Sequence, residues 1–156
     1  MKVIEVRELD VDSIRIPKWA ERIVVEKHEV DEIAESIRRG IQIEPIIVRM
    51  LDDGGYELIS GYMRFNALKC LDRKIVEAKI VECNDEEALA ISLEENLKRS
   101  DMHPFDIARK VAYMHKELGM SVVEIGKRLN RDRSWVSMML SIGHICDEAK
   151  NILAPQ

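Results

Sequence analysis

Several things are scarce in this chain of 156 residues. Its three cysteines, Cys70, Cys83 and Cys146, are an odd number at wide separations with no CxxC pair. That spacing indicates neither a disulfide framework nor a structural zinc site and marks them as reduced packing residues. Seven glycines and four prolines, with no Ser/Gly/Pro-rich tract, exclude a long flexible linker or a large disordered fraction. No apolar run nears the roughly 20 residues of a membrane span. The opening MKVIEVRELD alternates charge with aliphatics where a signal peptide would carry an apolar block. A soluble, cytoplasmic, ordered protein is expected. The four histidines, His28, His103, His115 and His144, are isolated, so capping or surface roles are expected of them and not metal ligation.

Charge, by contrast, is plentiful and uneven. The chain is 34% charged with a net charge of −5. Residues 1–97 hold 14 Lys/Arg against 22 Asp/Glu, while residues 98–141 hold 9 against 5. Contact with a polyanion is therefore expected from the C-terminal third.

Hydrophobic periodicity divides the chain the same way. Alternation over residues 2–7 predicts a strand, and Val30, Ile33, Ala34 and Ile37 predict a helix over about 29–39 that Gly40 ends. Residues 44–50, a turn at Asp52-Asp53-Gly54-Gly55 and residues 56–60 read as a hairpin. A helix over about 62–71 and a strand over 75–82 follow. Asn84 with Glu87 then forms a capping box on a helix striped by Ala88, Leu89, Leu93, Asn96 and Leu97. The order β-α-β-β-α-β-α predicts an α+β layer built on local strand pairs. From Pro104 onward only helices are expected: about 104–118, 122–129, 133–142 and a short piece near Asp147. Two domains follow, 1–99 and 100–156, with a helix-turn-helix at about 121–141.

The segment VVEIGKRLNRDRSWVSMML carries that motif. Gly126 allows a close approach, Asn130 to Asp132 make the turn, and Ile125, Leu129, Val136 and Met139 occupy core positions. The second helix would present Arg133, Ser134, Ser137 and Met138 to a major groove, with Lys127 and Arg131 near phosphates. Trp135 reads as a packing anchor or a protein contact. A three-helix bundle with a solvated basic face is the alternative.

Taken in order, EIAESIRRGIQIEPIIVRM, GYELISGYMRFNALKCL, DEEALAISLEENLKRSDMHPFDIA and the helix-turn-helix resemble the ParB family of chromosome and plasmid partition proteins over about residues 3–142. Glu95-Asn96-Leu97-Lys98-Arg99 stands as that family's ENxxR motif, followed by its Pro104 and Asp106. The resemblance implies an N-terminal domain that binds CTP with magnesium, Glu95 and Asn96 beside the metal and Arg99 near the nucleotide or bracing the site. It also implies a homodimer on an inverted repeat of double-stranded DNA, a ParA-like ATPase partner, nucleoid association and at most slow CTP turnover. The family's GERRxR run is matched by Gly61-Tyr62-Met63-Arg64-Phe65-Asn66, which keeps the glycine and one arginine. Gly61, Tyr62, Met63 and Arg64 are thus the implied phosphate-side residues, with positive charge removed at Tyr62, Met63 and Asn66. The family's early Gln-Pro-Arg stretch is altered to Lys18-Trp19-Ala20-Glu21-Arg22.

Two other readings stay open. One is a ParB-like transcription regulator with a degenerate pocket. The other is a nucleotide-dependent small-molecule kinase related to free-serine kinases, whose one candidate base is Glu29 beside His28. A sulfiredoxin is excluded, because its chemistry needs a cysteine where Tyr62 stands.

Overall fold

A computed structural model describes residues 2–21, 27–40, 44–98 and 103–153, and the side chains among these as far as residue 145. The chain forms two compact units, Met1–Ala88 and Leu89–Gln156.

In the first unit the strands are β1 (Lys2–Asp10), β2 (Ile14–Arg15), β3 (Ile46–Met50), β4 (Tyr56–Ser60) and β5 (Ile75–Glu82). They form one sheet in the order β1-β5-β3-β4-β2. The predicted hairpin is present: β3 and β4 are antiparallel, and Leu51 and Gly55 close their turn with a 2.7 Å backbone hydrogen bond. The expectation of local strand pairs is corrected elsewhere. β1 joins β5 antiparallel across most of the unit, and β3 lies parallel to β5 and β2 parallel to β4. Strand β2 has only two residues, too few for an alternation to show in the sequence.

Helices α1 (Lys27–Arg38) and α2 (Tyr62–Cys70) pack on each other. A core of Leu9, Val11, Ile14, Ile46, Val48, Leu58, Phe65, Val76, Ala78 and Ile80 is buried. It consists of alternate strand residues, Val11 from the turn between β1 and β2, and Phe65 from α2.

Helix α3 (Asp85–Lys98) starts in the first unit and runs into the second. Its capping box forms as expected: Asn84 Oδ1 accepts from the Glu87 amide at 2.8 Å, and the Glu87 carboxylate accepts from the Asn84 amide at 3.3 Å. The buried Arg49 guanidinium holds this corner. It donates to the Glu57 carboxylate at 3.0 and 2.7 Å and to Asp85 at 2.6 Å, with the Cys83 carbonyl at 3.5 Å. Burial opposes its charge most, but the hydrogen bonds and charges of Asp85 and Glu57 together outweigh it and raise the pKa.

The second unit contains α4 (Pro104–Lys116), α5 (Val122–Leu129) and α6 (Arg133–Leu153). Pro104 occupies the first turn of α4, where His103 Nδ1 accepts from the Phe105 amide at 3.3 Å. That is the capping role expected of a histidine near a helix end. The separate helix predicted near Asp147 is corrected: α6 is continuous through Gly143. A Cβ there would come within 3.2 Å of both the Ala108 carbonyl and the Ala112 side chain, so this glycine fits a close crossing of α4 and α6 and does not break a helix. Asp106 and Lys110, one turn apart on α4, are both buried. No described helix is long and apolar enough to cross a membrane.

Candidate functional site

Local chemistry fixes the helix-turn-helix. Ser121 caps α5 through a capping box, its hydroxyl accepting from the Glu124 amide at 3.1 Å. Asn130 ends α5 in the left-handed conformation, φ 55° and ψ 48°, which asparagine tolerates better than other side chains do. The turn then folds back so that the Arg131 amide donates to the Gly126 carbonyl at 2.9 Å. The Asp132 carboxylate caps α6 by accepting from the Trp135 amide at 2.8 Å. A Cβ on Gly126 would stand 2.7 Å from the Arg131 carbonyl oxygen. The close approach of two helices expected at Gly126 is corrected: the tight contact there is with the turn backbone.

Ile125, Leu129, Val136 and Met139 are all buried. Arg133, Ser134, Ser137 and Met138 lie on the other side of α6 and are exposed, as are Lys127 and Arg131. The fold therefore brings these six residues to the outside of one motif. It adds a feature the sequence reading missed: the Arg131 guanidinium lies 5.1 Å from the centroid of the half-buried Trp135 ring. Arg131 lies in the turn before α6, so no helical spacing in the sequence signals this contact. A helix N-terminus with exposed arginines and hydroxyls suits a phosphate-lined groove.

The nucleotide candidates divide between the units. Gly61, at φ +99°, precedes α2; a Cβ there would lie 2.7 Å from Ile46 Cγ2 and 3.0 Å from Arg64 Nη2. Only glycine meets both the backbone angle and the space. Tyr62 is half-buried, and its phenol pKa is pushed up by burial and then by the charge of Glu21. The altered 18–22 stretch, of which Arg22 lies outside the described residues, thus reaches the start of α2 through Glu21. Met63 is 3% exposed and packs inward. Arg64, 15% exposed at its side chain, donates to the Glu44 carbonyl at 2.9 Å with the Glu44 carboxylate 3.8 Å away. It lines a cavity of about 210 Å³ with Ile37, Ile46, Leu68 and Glu77.

Glu95 and Asn96 are half-buried on α3, within the second unit, and Arg99 lies outside the described residues. Among the described residues no group of three His, Cys, Asp or Glu side chains is placed to hold a metal ion. Glu29, the candidate kinase base, lies in the first turn of α1.

The sequence model of the ParB N-terminal domain matches residues 1–97. A probable chromosome-partitioning protein ParB of Vibrio cholerae is 28% identical over 149 residues, covering 96% of this chain and 51% of that protein. A nucleoid occlusion protein of Listeria monocytogenes is 31% identical over 135 residues, 86% of this chain and 48% of that protein. The chain spans about half the length of these curated relatives. Among solved structures, the C-terminally truncated ParB of Caulobacter crescentus shares the fold. In complex with its centromeric parS site it matches with a TM-score of 0.55 at 21% identity, over 86% of this chain and 70% of that one. In complex with CTP-gamma-S the score is 0.56 at 22% identity, over 87% and 77%.

Proposed function

Because the chain belongs to the ParB N-terminal domain family, we propose that it is a partition-type protein that binds double-stranded DNA through α5 and α6 under nucleotide control. The observation that carries this reading is the helix-turn-helix itself. Lys127, Arg131, Arg133, Ser134, Ser137 and Met138 stand exposed over the buried Ile125, Leu129, Val136 and Met139. Arg133 and the two serines address base edges and the phosphates beside them, while Lys127 and Arg131 contribute salt-dependent attraction. A homodimer on an inverted repeat supplies the affinity that one such motif lacks. A ParA-like ATPase is the proposed partner and the nucleoid the proposed location.

The nucleotide is CTP, received by Gly61, Tyr62, Met63 and Arg64 of the first unit. Gly61 admits a phosphate near the α2 backbone, Tyr62 and Met63 offer their amides at the start of that helix, and Arg64 supplies the fork. The Glu95 carboxylate and Asn96 amide oxygens are hard donors of the kind magnesium takes and would be the residues to hold it, where it would supply positive charge.

Binding of fluorescent duplexes bearing inverted repeats tests the DNA reading. Arg133→Ala should weaken specific binding, and unchanged affinity would refute the assignment. Calorimetric titration with CTP, ATP and ADP in magnesium tests the rest: CTP binding should be selective, lost in Arg64→Ala and reduced in Glu95→Ala. Affinity for CTP that is equal with and without magnesium would refute the metal role.

A second reading has an observation in its favour. Met63 is turned inward, Glu21 lies near Tyr62, and Arg64 already serves the Glu44 carbonyl. These support a DNA-binding regulator with a degenerate pocket, for which the same titration would show no nucleotide bound.

A further inference from the structure

Strand β1 ends the sheet, and its outer edge has no strand beside it among the described residues. The Val11 amide donates to the Lys74 carbonyl at 2.9 Å, and the ladder above it sets Leu9 opposite Val76, Arg7 opposite Ala78 and Glu5 opposite Ile80. Antiparallel ladders alternate, so these odd residues turn their backbone groups toward β5. Val6, Glu8 and Asp10 turn theirs outward. Such an edge recruits another strand unless its side chains forbid it.

The side chains of β1 disfavour pairings centred on its charged residues, a pairing centred on Leu9 would face Glu8 with Asp10, and the register shift between Val3 and Glu5 interrupts those centred on Val3 or Ile4. Centring the pairing on Glu5, Arg7 or Glu8 would place each residue against its own charge. Centring it on Val6 sets Glu5 opposite Arg7 of the second copy, and Arg7 opposite Glu5, with no like charges facing. The Val6 backbone groups, which point outward, then bond each other across the axis, and the Glu5–Arg7 positions become the closer, non-hydrogen-bonded pairs. Arg7 is already held on the right face: it contacts the Tyr56 hydroxyl and lies 3.4 Å from Glu5 of its own strand. Val6 is 53% exposed, and no strand among the described residues lies on its outer side.

We propose that β1 is a self-pairing edge, through which two copies of this chain join antiparallel about Val6 into a continuous ten-stranded sheet. The register shift between Val3 and Glu5 limits the regular seam to a few residues about Val6. Association through it is therefore weak, with Kd of about 10 μM to 1 mM, and adds to the DNA reading without depending on it.

Sedimentation equilibrium of the full chain over that concentration range is the test. The wild type should dimerise. Arg7→Glu, which places like charges opposite each other twice by symmetry, should weaken dimerisation about tenfold or more. The swap Glu5→Arg with Arg7→Glu should restore it. Val6→Cys, with Cys70→Ser to remove an exposed thiol, should oxidise to a covalent dimer even if Arg7→Glu fails to fold. A wild type that stays monomeric throughout, an Arg7→Glu protein that associates like wild type, or a swap no better than Arg7→Glu overturns the proposal.

Discussion

Replacing Gly126 by alanine sets two effects of opposite sign against each other. On an exposed helix the change is stabilising by about 1 kcal/mol, because alanine loses less backbone entropy. Here the added methyl would lie 2.7 Å from the Arg131 carbonyl oxygen, against ordinary contacts that begin near 3.4 Å. The turn must retreat by about 0.7 Å, and it is pinned from the same side by the Arg131 amide on the Gly126 carbonyl at 2.9 Å. Overpacking of this kind costs about 1–3 kcal/mol. The clash outweighs the helix gain, leaving a net loss of about 1 kcal/mol. Thermal unfolding followed by circular dichroism should show the midpoint lowered by several degrees. Because the turn sets the angle between α5 and α6, affinity for DNA should fall as well. An unchanged or raised midpoint would mean that only the helix gain operates, and would refute the tight α5–turn contact.

Three further outcomes are expected. Arg49→Ala leaves the Glu57 carboxylate, 17% exposed, without the guanidinium, and should cost about 2–4 kcal/mol in urea unfolding; a loss below 1 kcal/mol would show that the cluster contributes little. Arg49→Lys should recover only part of that, since one ammonium cannot serve Glu57 twice and Asp85 as well. Burial pushes the Cys83 thiol up, with Glu87 adding and Arg49 opposing, so it holds less thiolate at a given pH than an ordinary thiol. Site-resolved alkylation at pH 8 should therefore label the exposed Cys70 before Cys83, and the reverse order would refute the burial. Trp135→Ala should weaken DNA binding modestly and leave its salt dependence unchanged, because Arg131 keeps its charge. Arg131→Ala should lower the log-log salt slope by about 1, and equal slopes in both variants would refute a phosphate contact at Arg131.

The sequence by itself determined the elements whose causes are local. The capping boxes at Asn84/Glu87 and Ser121/Glu124, the turn at residues 52–55 and the buried positions of the helix-turn-helix depend on residues a few places apart, so their patterns are complete in the sequence. The Arg131–Trp135 contact was not legible, because Arg131 lies in the turn outside α6 and its reach to the ring depends on how the turn folds back. Nor was sheet order. Joining β1 to β5 and setting β3 parallel to β5 depends on burying faces that lie far apart along the chain, and period-2 alternation shows that a face exists without showing its neighbour. The same reason hid the role of Arg49, an unremarkable arginine in β3 until the fold brings Glu57 and Asp85 to it. It also hid the inward turn of Met63, which only the packing of α2 on the sheet decides. The break expected between residue 142 and the piece near Asp147 does not occur, because Gly143 meets Ala108 and Ala112 in a close crossing of two helices, and that contact is decided in three dimensions.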